Sequence, residues 1–329
     1  MEINKIHNIN FLDNTLPDKC ANLIIADPPY FEVKGDFDFI WKSFDDYLKD
    51  VEKWAVECKR LLADNGTLFW WGSSKKIAYS QIILDKYFGL VSNVTVHFFD
   101  RQTNKIKIED ARGFINTTER FLMYSNDIYD LTQCVFNIRD YIRNEILRAK
   151  GKIVFKDINK SLGVAFNGGG VASACLSLEK KRPSMLTKEL YLKLRDWLNI
   201  EQKNEYLKQE YEDLKQEYED LKQEYEDLRR PFNPIGKYKM DVLRFSQEAH
   251  NTRKYDHETA KPEKLTRYLI QSCSRENDLV VVPFSGSGTE CAMSAFENRN
   301  FIGFDIEKKY VDMGNERVKK IMDQTKLFI

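Results

Sequence analysis

The residues best suited to chemistry lie in two short stretches, Asp27-Pro28-Pro29-Tyr30 and Phe284-Ser285-Gly286-Ser287-Gly288-Thr289. In the first, an acid, two prolines and an aromatic ring follow the apolar run at residues 22–26, N-L-I-I-A. Such a run suits a strand buried on both faces of a parallel sheet. Neither proline can donate to a ladder and each fixes its own φ, so the sheet stops there and the acid is held rigidly. Taken alone, that is also how any stiff strand exit would be written. In the second, the buried run D-L-V-V-V-P enters a glycine turn, and a helix follows from Glu290. Gly286 and Gly288 let the backbone approach a ligand closely, and the helix N-terminus offers free N–H groups. A second strand, N-F-I-G-F, ends in Asp305, at the offset of about twenty residues where doubly wound folds bind ribose hydroxyls. If the strands ending at Ala26 and Pro283 are neighbours, Asp27 and Tyr30 face a nucleoside cofactor bound over Gly286.

The elements that must hold these residues alternate along the chain. Strands are expected at residues 22–26, 66–71, 93–99 and 120–124, then at 279–283 and 300–304, with helices between them, notably from Phe44 to Leu62. This order argues for a doubly wound α/β sheet with helices on both faces. Residues 131–240 interrupt it. Within them, 166–170 (F-N-G-G-G) is a flexible break, and 186–198 has helical spacing with Thr187 as cap and Glu189 in the first turn. From Gln209 the chain repeats Q-E-Y-E-D-L-K, which sets Leu207, Tyr211, Leu214, Tyr218, Leu221, Tyr225 and Leu228 on one heptad seam. Over 207–228 that is a helix of about 33 Å, ended by Arg230-Pro231, with its stripe packed on the protein body or on a second copy.

Net charge is zero, yet it is unevenly spread. Residues 131–200 hold 13 Lys/Arg against 6 Asp/Glu, while residues 201–228 hold 4 against 11. The acidic repeat therefore hides a basic stretch that could meet phosphates. Six scattered cysteines without a C-x-x-C pair read as reduced thiols, and four unclustered histidines suggest no metal centre. No run approaches the ~18–20 apolar residues of a membrane span, and the N-terminus lacks a secretion signal. A bacterial cytoplasm is the expected location.

The order D-P-P-Y, a variable middle, then F-S-G-S-G-T resembles the beta-type amino-methyltransferases of DNA, which are circularly permuted relative to other S-adenosylmethionine-dependent methyltransferases. H-E-T-A-K-P-E-K-L at 257–265, N-R-N-F-I-G-F-D at 298–305 and Thr118-Glu119-Arg120 resemble further segments of that family, and the repeat is similar to a Y-E-x-L-R helix in some members. The resemblance covers residues 1–130, as the catalytic half, and 241–329, as the cofactor half. It makes 131–240 a target-recognition insert.

The resemblance implies methyl transfer from S-adenosylmethionine, without a metal, to adenine N6 in double-stranded DNA after base flipping. Asp27 and the Pro28 carbonyl would accept the amino hydrogens, Pro29 would stiffen the loop, and Tyr30 would stack on the base with help from Phe31. Phe284, Ser285, Gly286, Ser287, Gly288, Thr289 and Asp305 would hold the cofactor, with Lys261 and Pro262 lining its methionine end. Lys152, Lys156, Lys160, Lys188, Lys193 and Arg195 are the candidate DNA contacts, and 168–170 would let a loop close on the duplex. The expected target is a short palindrome such as CATG. A homodimer through the repeat and a cognate restriction endonuclease without a stable complex are further partners to consider.

One departure matters. Val282-Pro283-Phe284 stands where the family usually has Asp-Pro-Phe, so a cofactor carboxylate is missing, and Glu290, where the family often has Thr, is expected to replace it. Three other readings stay open. They are cytosine-N4 methylation, for which the family tends to carry Ser in place of the acid; methylation of RNA or a protein amide; and an inactive DNA-binding scaffold, suggested by Val282.

Overall fold

The six expected strands are present among the described residues with two shorter ones, as β1 (Lys5–His7), β2 (Ala21–Ala26), β3 (Leu62–Gly72), β4 (Gly89–Phe98), β5 (Thr118–Ser125), β6 (Val242–Phe245), β7 (Leu279–Val282) and β8 (Asn300–Phe304). The computed structural model describes residues 1–32, 38–99, 114, 116–126, 132–165, 170–179, 184–200, 205–234, 240–246 and 261–325. Residues 166–169 and 257–260, named above, lie outside them. The strands form one sheet in the order β1-β8-β7-β2-β3-β5-β4-β6. β5 runs antiparallel to both its neighbours, and every other pair is parallel.

The helices are α1 (Phe44–Leu61), α2 (Ile77–Leu84), α3 (Thr132–Lys150), α4 (Phe155–Leu162), α5 (Gly170–Leu176), α6 (Lys188–Asn199), α7 (Tyr211–Leu228), α8 (Glu263–Cys273), α9 (Thr289–Phe296) and α10 (Lys308–Thr325). The chain divides into two units, Met1–Ile128 with Arg230–Ile329, and Tyr129–Arg229.

In the first unit, alternation along each strand sends side chains to two cores. Ile24, Leu68 and Trp70 pack with Val51, Ala55 and Cys58 of α1 and with Ile77 and Leu84 of α2. Leu23, Ile25, Phe69 and Trp71 pack with Leu265 and Leu269 of α8, Ala292 of α9 and Val311 of α10. Both faces of the sheet are thus covered, as its near-continuous apolar strands require. α1 starts where Ser43 accepts the Asp46 N–H at 3.1 Å, and acids in its first turn with Lys59 and Arg60 in its last complement the helix dipole.

The second unit is helical, with Ile146, Ile158, Leu162, Leu194, Leu198, Leu207 and Leu214 in one core. Thr187 caps α6 by accepting from the Leu190 N–H. The repeat helix begins at Tyr211 and not at Leu207, which corrects the seam. Leu207 has a left-handed backbone, φ 52°, donates its N–H to Glu145 at 2.9 Å, and is fully buried. Leu214 lies in the same core, so this part of the seam packs on its own unit. The side chains of Tyr218, Leu221, Tyr225 and Leu228 lie outside the described ones.

Candidate active site

β2 and β7 are adjacent and parallel, with Leu23 opposite Val280 and Ile24 opposite Val281. From β2 the sheet continues through β3 to one side, and from β7 through β8 to the other. The strand order therefore reverses between them, at the switch point where open α/β sheets bind ligands beyond their carboxyl ends. The Asp27 loop and the glycine turn therefore leave neighbouring strand ends at this point.

Asp27 is held from two sides. Its Oδ1 accepts the Tyr30 hydroxyl, and its Oδ2 accepts Lys261 Nζ at 2.5 Å. Lys261 is 6% exposed, lies 3.7 Å from Glu119 on β5, and stands over the Trp71 ring, 4.7 Å from its centroid. Burial alone would lower the Lys261 ammonium, but Asp27 and Glu119, with Glu290 behind them, outweigh it and hold it well above an ordinary lysine. The Tyr30 hydroxyl is pushed up by burial first and then by Asp27 and Glu119, so it stays a donor. The Tyr30 N–H donates to Asp38 Oδ1 at 2.6 Å, and the Glu32 N–H to the Asp38 carbonyl at 2.7 Å. Pro28 is buried, and among the described residues no donor reaches its carbonyl.

Phe31 does not stand beside Tyr30. The chain reverses there through left-handed backbone at Phe31 (φ 60°) and Glu32 (φ 50°). The Phe31 ring turns inward against Trp41, Phe44 and Tyr47, with Lys76 Nζ 4.3 Å from its centroid and 2.6 Å from its carbonyl. That corrects the expectation of a second stacking ring.

The glycine turn is built largely from its own side chains. Ser285 Oγ reaches the Val282 carbonyl, Ser287 and Thr289 hydroxyls pair at 3.1 Å, and buried Arg317 donates to Thr289 Oγ1 at 2.8 Å and to Glu263 at 2.7 Å. These three hydroxyls therefore shape the loop from inside. Phe284 packs edge-on against Trp54. Asp305 joins β8 to the turn, accepting the Gly286 N–H at 2.8 Å and the Glu307 N–H at 2.9 Å. A carboxylate offers about four lone-pair positions, so ribose hydroxyls can still be accepted. Gly288 has φ +71°, and an added Cβ would sit 2.7 Å from Gly314 Cα. Gly288→Ala is expected to cost about 2–4 kcal/mol, read as a lower urea midpoint, because left-handed strain and a backbone clash add.

Glu290 opens α9 and is 6% exposed. Its own backbone N–H faces the carboxyl, and no described side chain comes within ion-pair distance of it. Burial, then repulsion by Asp27, raises it from 4.5 to about 7 against the pull of Lys261 and Arg317. Val282, by contrast, is buried in the sheet core. A buried acid lacking a side-chain partner, a glycine turn and Asp305 together suit a cofactor with a nucleoside at one end and a cation at the other.

Pro262 precedes α8 and caps it without a side-chain bond. In the second unit, Lys188 pairs with Glu212, Arg195 with Glu210 and Lys193 with Glu189. Lys188, Arg195 and Lys193 are thus engaged by acids, two of which lie on or beside the acidic repeat. Lys152, Lys156 and Lys160 are exposed, the last two one turn apart on α4. Asp38, Trp71 and Arg317 had no signal in the sequence. Glu119 was noticed only as part of a motif.

The fold and site define an α/β frame with an acid and a ring beside a nucleoside-type glycine turn. Within that class the chain belongs to the N6/N4 DNA methylase family, whose profile matches residues 21–316. It is 24% identical over 325 residues to the type II methyltransferase M.HinfI of Haemophilus influenzae, spanning 93% of this chain and 65% of that protein. The type II methyltransferase M1.MboII of Moraxella bovis is 24% identical over 332 residues, 96% of each chain. Among solved structures, TTHA0409 of Thermus thermophilus, inferred to be a DNA modification methylase, has the same fold. Its TM-score is 0.52 at 14% identity, over 97% of this chain and 95% of that one.

Proposed function

We propose that the protein is a site-specific DNA methyltransferase of a bacterial restriction-modification system, of the permuted beta type, using S-adenosylmethionine to methylate adenine at N6. The observation that supports it most is the parallel pairing of β2 with β7, which brings the Asp27–Tyr30 loop beside the glycine turn. When bound, the cofactor supplies an electrophilic methyl group on a sulfonium. Phe284, Gly286 and Asp305 are the residues proposed to hold its nucleoside.

An exocyclic amino nitrogen is a poor nucleophile because its lone pair is delocalised into the ring. Asp27 and the Pro28 carbonyl would accept its two hydrogens and return that pair to nitrogen. The base must leave the helix to reach them. Tyr30 would stack on it, worth about 1–3 kcal/mol against the unstacking cost. Residues 131–240 would read the target, with the exposed Lys152, Lys156 and Lys160 among the side chains that meet phosphates.

Methyl transfer from labelled S-adenosylmethionine to unmethylated bacterial DNA, with the modified bases mapped, tests this. Label on adenine in one recurrent short motif is expected. Label on cytosine would replace N6 by N4. Cofactor binding without any labelled DNA would point to RNA or protein.

A further inference from the structure

The glycine turn has two unlike ends. Asp305 lies at one, where its carboxylate is tied to backbone N–H groups of the turn and of Glu307. Glu290 lies at the other, where the charges that act on it are those of Asp27, Lys261 and Arg317. The ribose end of a nucleoside cofactor belongs with Asp305. Whatever lies over Glu290 is therefore the far end, which in an S-adenosyl amino acid carries an α-ammonium.

We propose that Glu290 is the receptor for the α-ammonium of the cofactor's amino-acid portion, in place of the acid absent at Val282. The inference rests on the cofactor reading above. Three observations converge on it. Glu290 is only 6% exposed, yet no described side chain is paired with it. Leaving a buried acid without a counter-charge is costly, and a ligand cation removes that cost. Of the two cations that act on it, Lys261 is committed to Asp27 at 2.5 Å, and Arg317 to Thr289 and Glu263. Asp27 raises Glu290 by repulsion, so a cation beside Glu290 is attracted by both carboxylates.

The groups facing Glu290 are Asp27 after β2, Lys261 before α8 and Arg317 on α10, with Glu119 on β5 acting through Lys261. An acid raised to about 7 is mostly neutral in mildly acidic solution, and an ammonium ligand requires its anion. Affinity should therefore rise roughly tenfold between about pH 5.5 and about pH 7, a window in which the ligand's own ammonium keeps its proton.

Calorimetric titration of wild type and Glu290→Gln with two uncharged-sulfur nucleosides tests the proposal. S-adenosylhomocysteine carries the α-amino acid, and 5′-methylthioadenosine lacks it. The expected result is a loss of about 10–100-fold for S-adenosylhomocysteine in the variant, with methylthioadenosine unchanged and the rise with pH abolished. Equal weakening of both nucleosides would make Glu290 a structural residue and overturn the inference, as would no weakening of either. A wild type that binds neither nucleoside would instead remove the cofactor reading. Glutamine has nearly the shape of glutamic acid and burial favours the neutral form, so the variant is expected to fold.

Discussion

Asp27→Asn is expected to cut methyl transfer by about 10²–10³-fold or more while leaving cofactor affinity within about twofold. The amide keeps the volume of the acid but loses one acceptor oxygen and gains a donor, which would face either the Tyr30 hydroxyl or Lys261. It cannot accept from both of them and from a target amino group as well. Because β2 and the glycine turn hold their positions through the sheet, cofactor binding should not follow activity down. Single-turnover transfer and equilibrium cofactor binding, measured on the same preparation, separate the two. Activity within tenfold of wild type would mean that Asp27 does not meet the amino group. A parallel loss of binding would mean that it serves the cofactor instead.

How much of this was legible beforehand depends on the distance over which each residue acts. The Asp27–Tyr30 loop and the glycine turn announce themselves because each is one strand and one turn, written in consecutive residues. Their adjacency followed from the rule that ligands bind where strand order reverses, and β2 does lie against β7. α6 with its Thr187 cap was readable for the same local reason. Three-residue β1 and four-residue β6 are too short to show a period, and both were missed. Heptad spacing ran on to Leu207, but Glu145 takes that amide and breaks the helix, a contact 62 residues away. Phe31 looks like a stacking ring beside Tyr30 until the backbone reverses under it. The choice between adenine and cytosine is written locally only in the acid at Asp27, where cytosine-N4 members of the family tend to carry Ser, since a carboxylate and a carbonyl accept from either exocyclic amine. Lys188 and Arg195 of the basic stretch have Glu212 and Glu210 as neighbours, pairings that a count of charge along the chain does not show.

The most consequential of these long-range contacts is that of Lys261, 234 residues from Asp27. The family resemblance assigns it to the methionine end of the cofactor, but its ammonium lies on Asp27 and near Glu119. Lys261→Met is therefore expected to lower kcat by about 10²-fold, because a carboxylate aimed from two sides is left with one, with cofactor affinity falling only by the several-fold that a more neutral Glu290 brings. The variant also leaves Asp27, Glu119 and Glu290 facing an apolar side chain. Glu290, already raised to about 7 with Lys261 pulling it down, should move higher still. An acid raised in the folded state contributes its stability in full below the unfolded value and loses it as pH climbs through the folded one. In the wild type that loss runs from about pH 4.5 to about pH 7. In the variant it should continue beyond, so Tm should keep falling at alkaline pH where the wild type has levelled. A variant that loses cofactor affinity at unchanged kcat, with the wild-type dependence of Tm on pH, would return Lys261 to the methionine end. The two assignments thus part at kcat, and the ion pair to Asp27 favours the first.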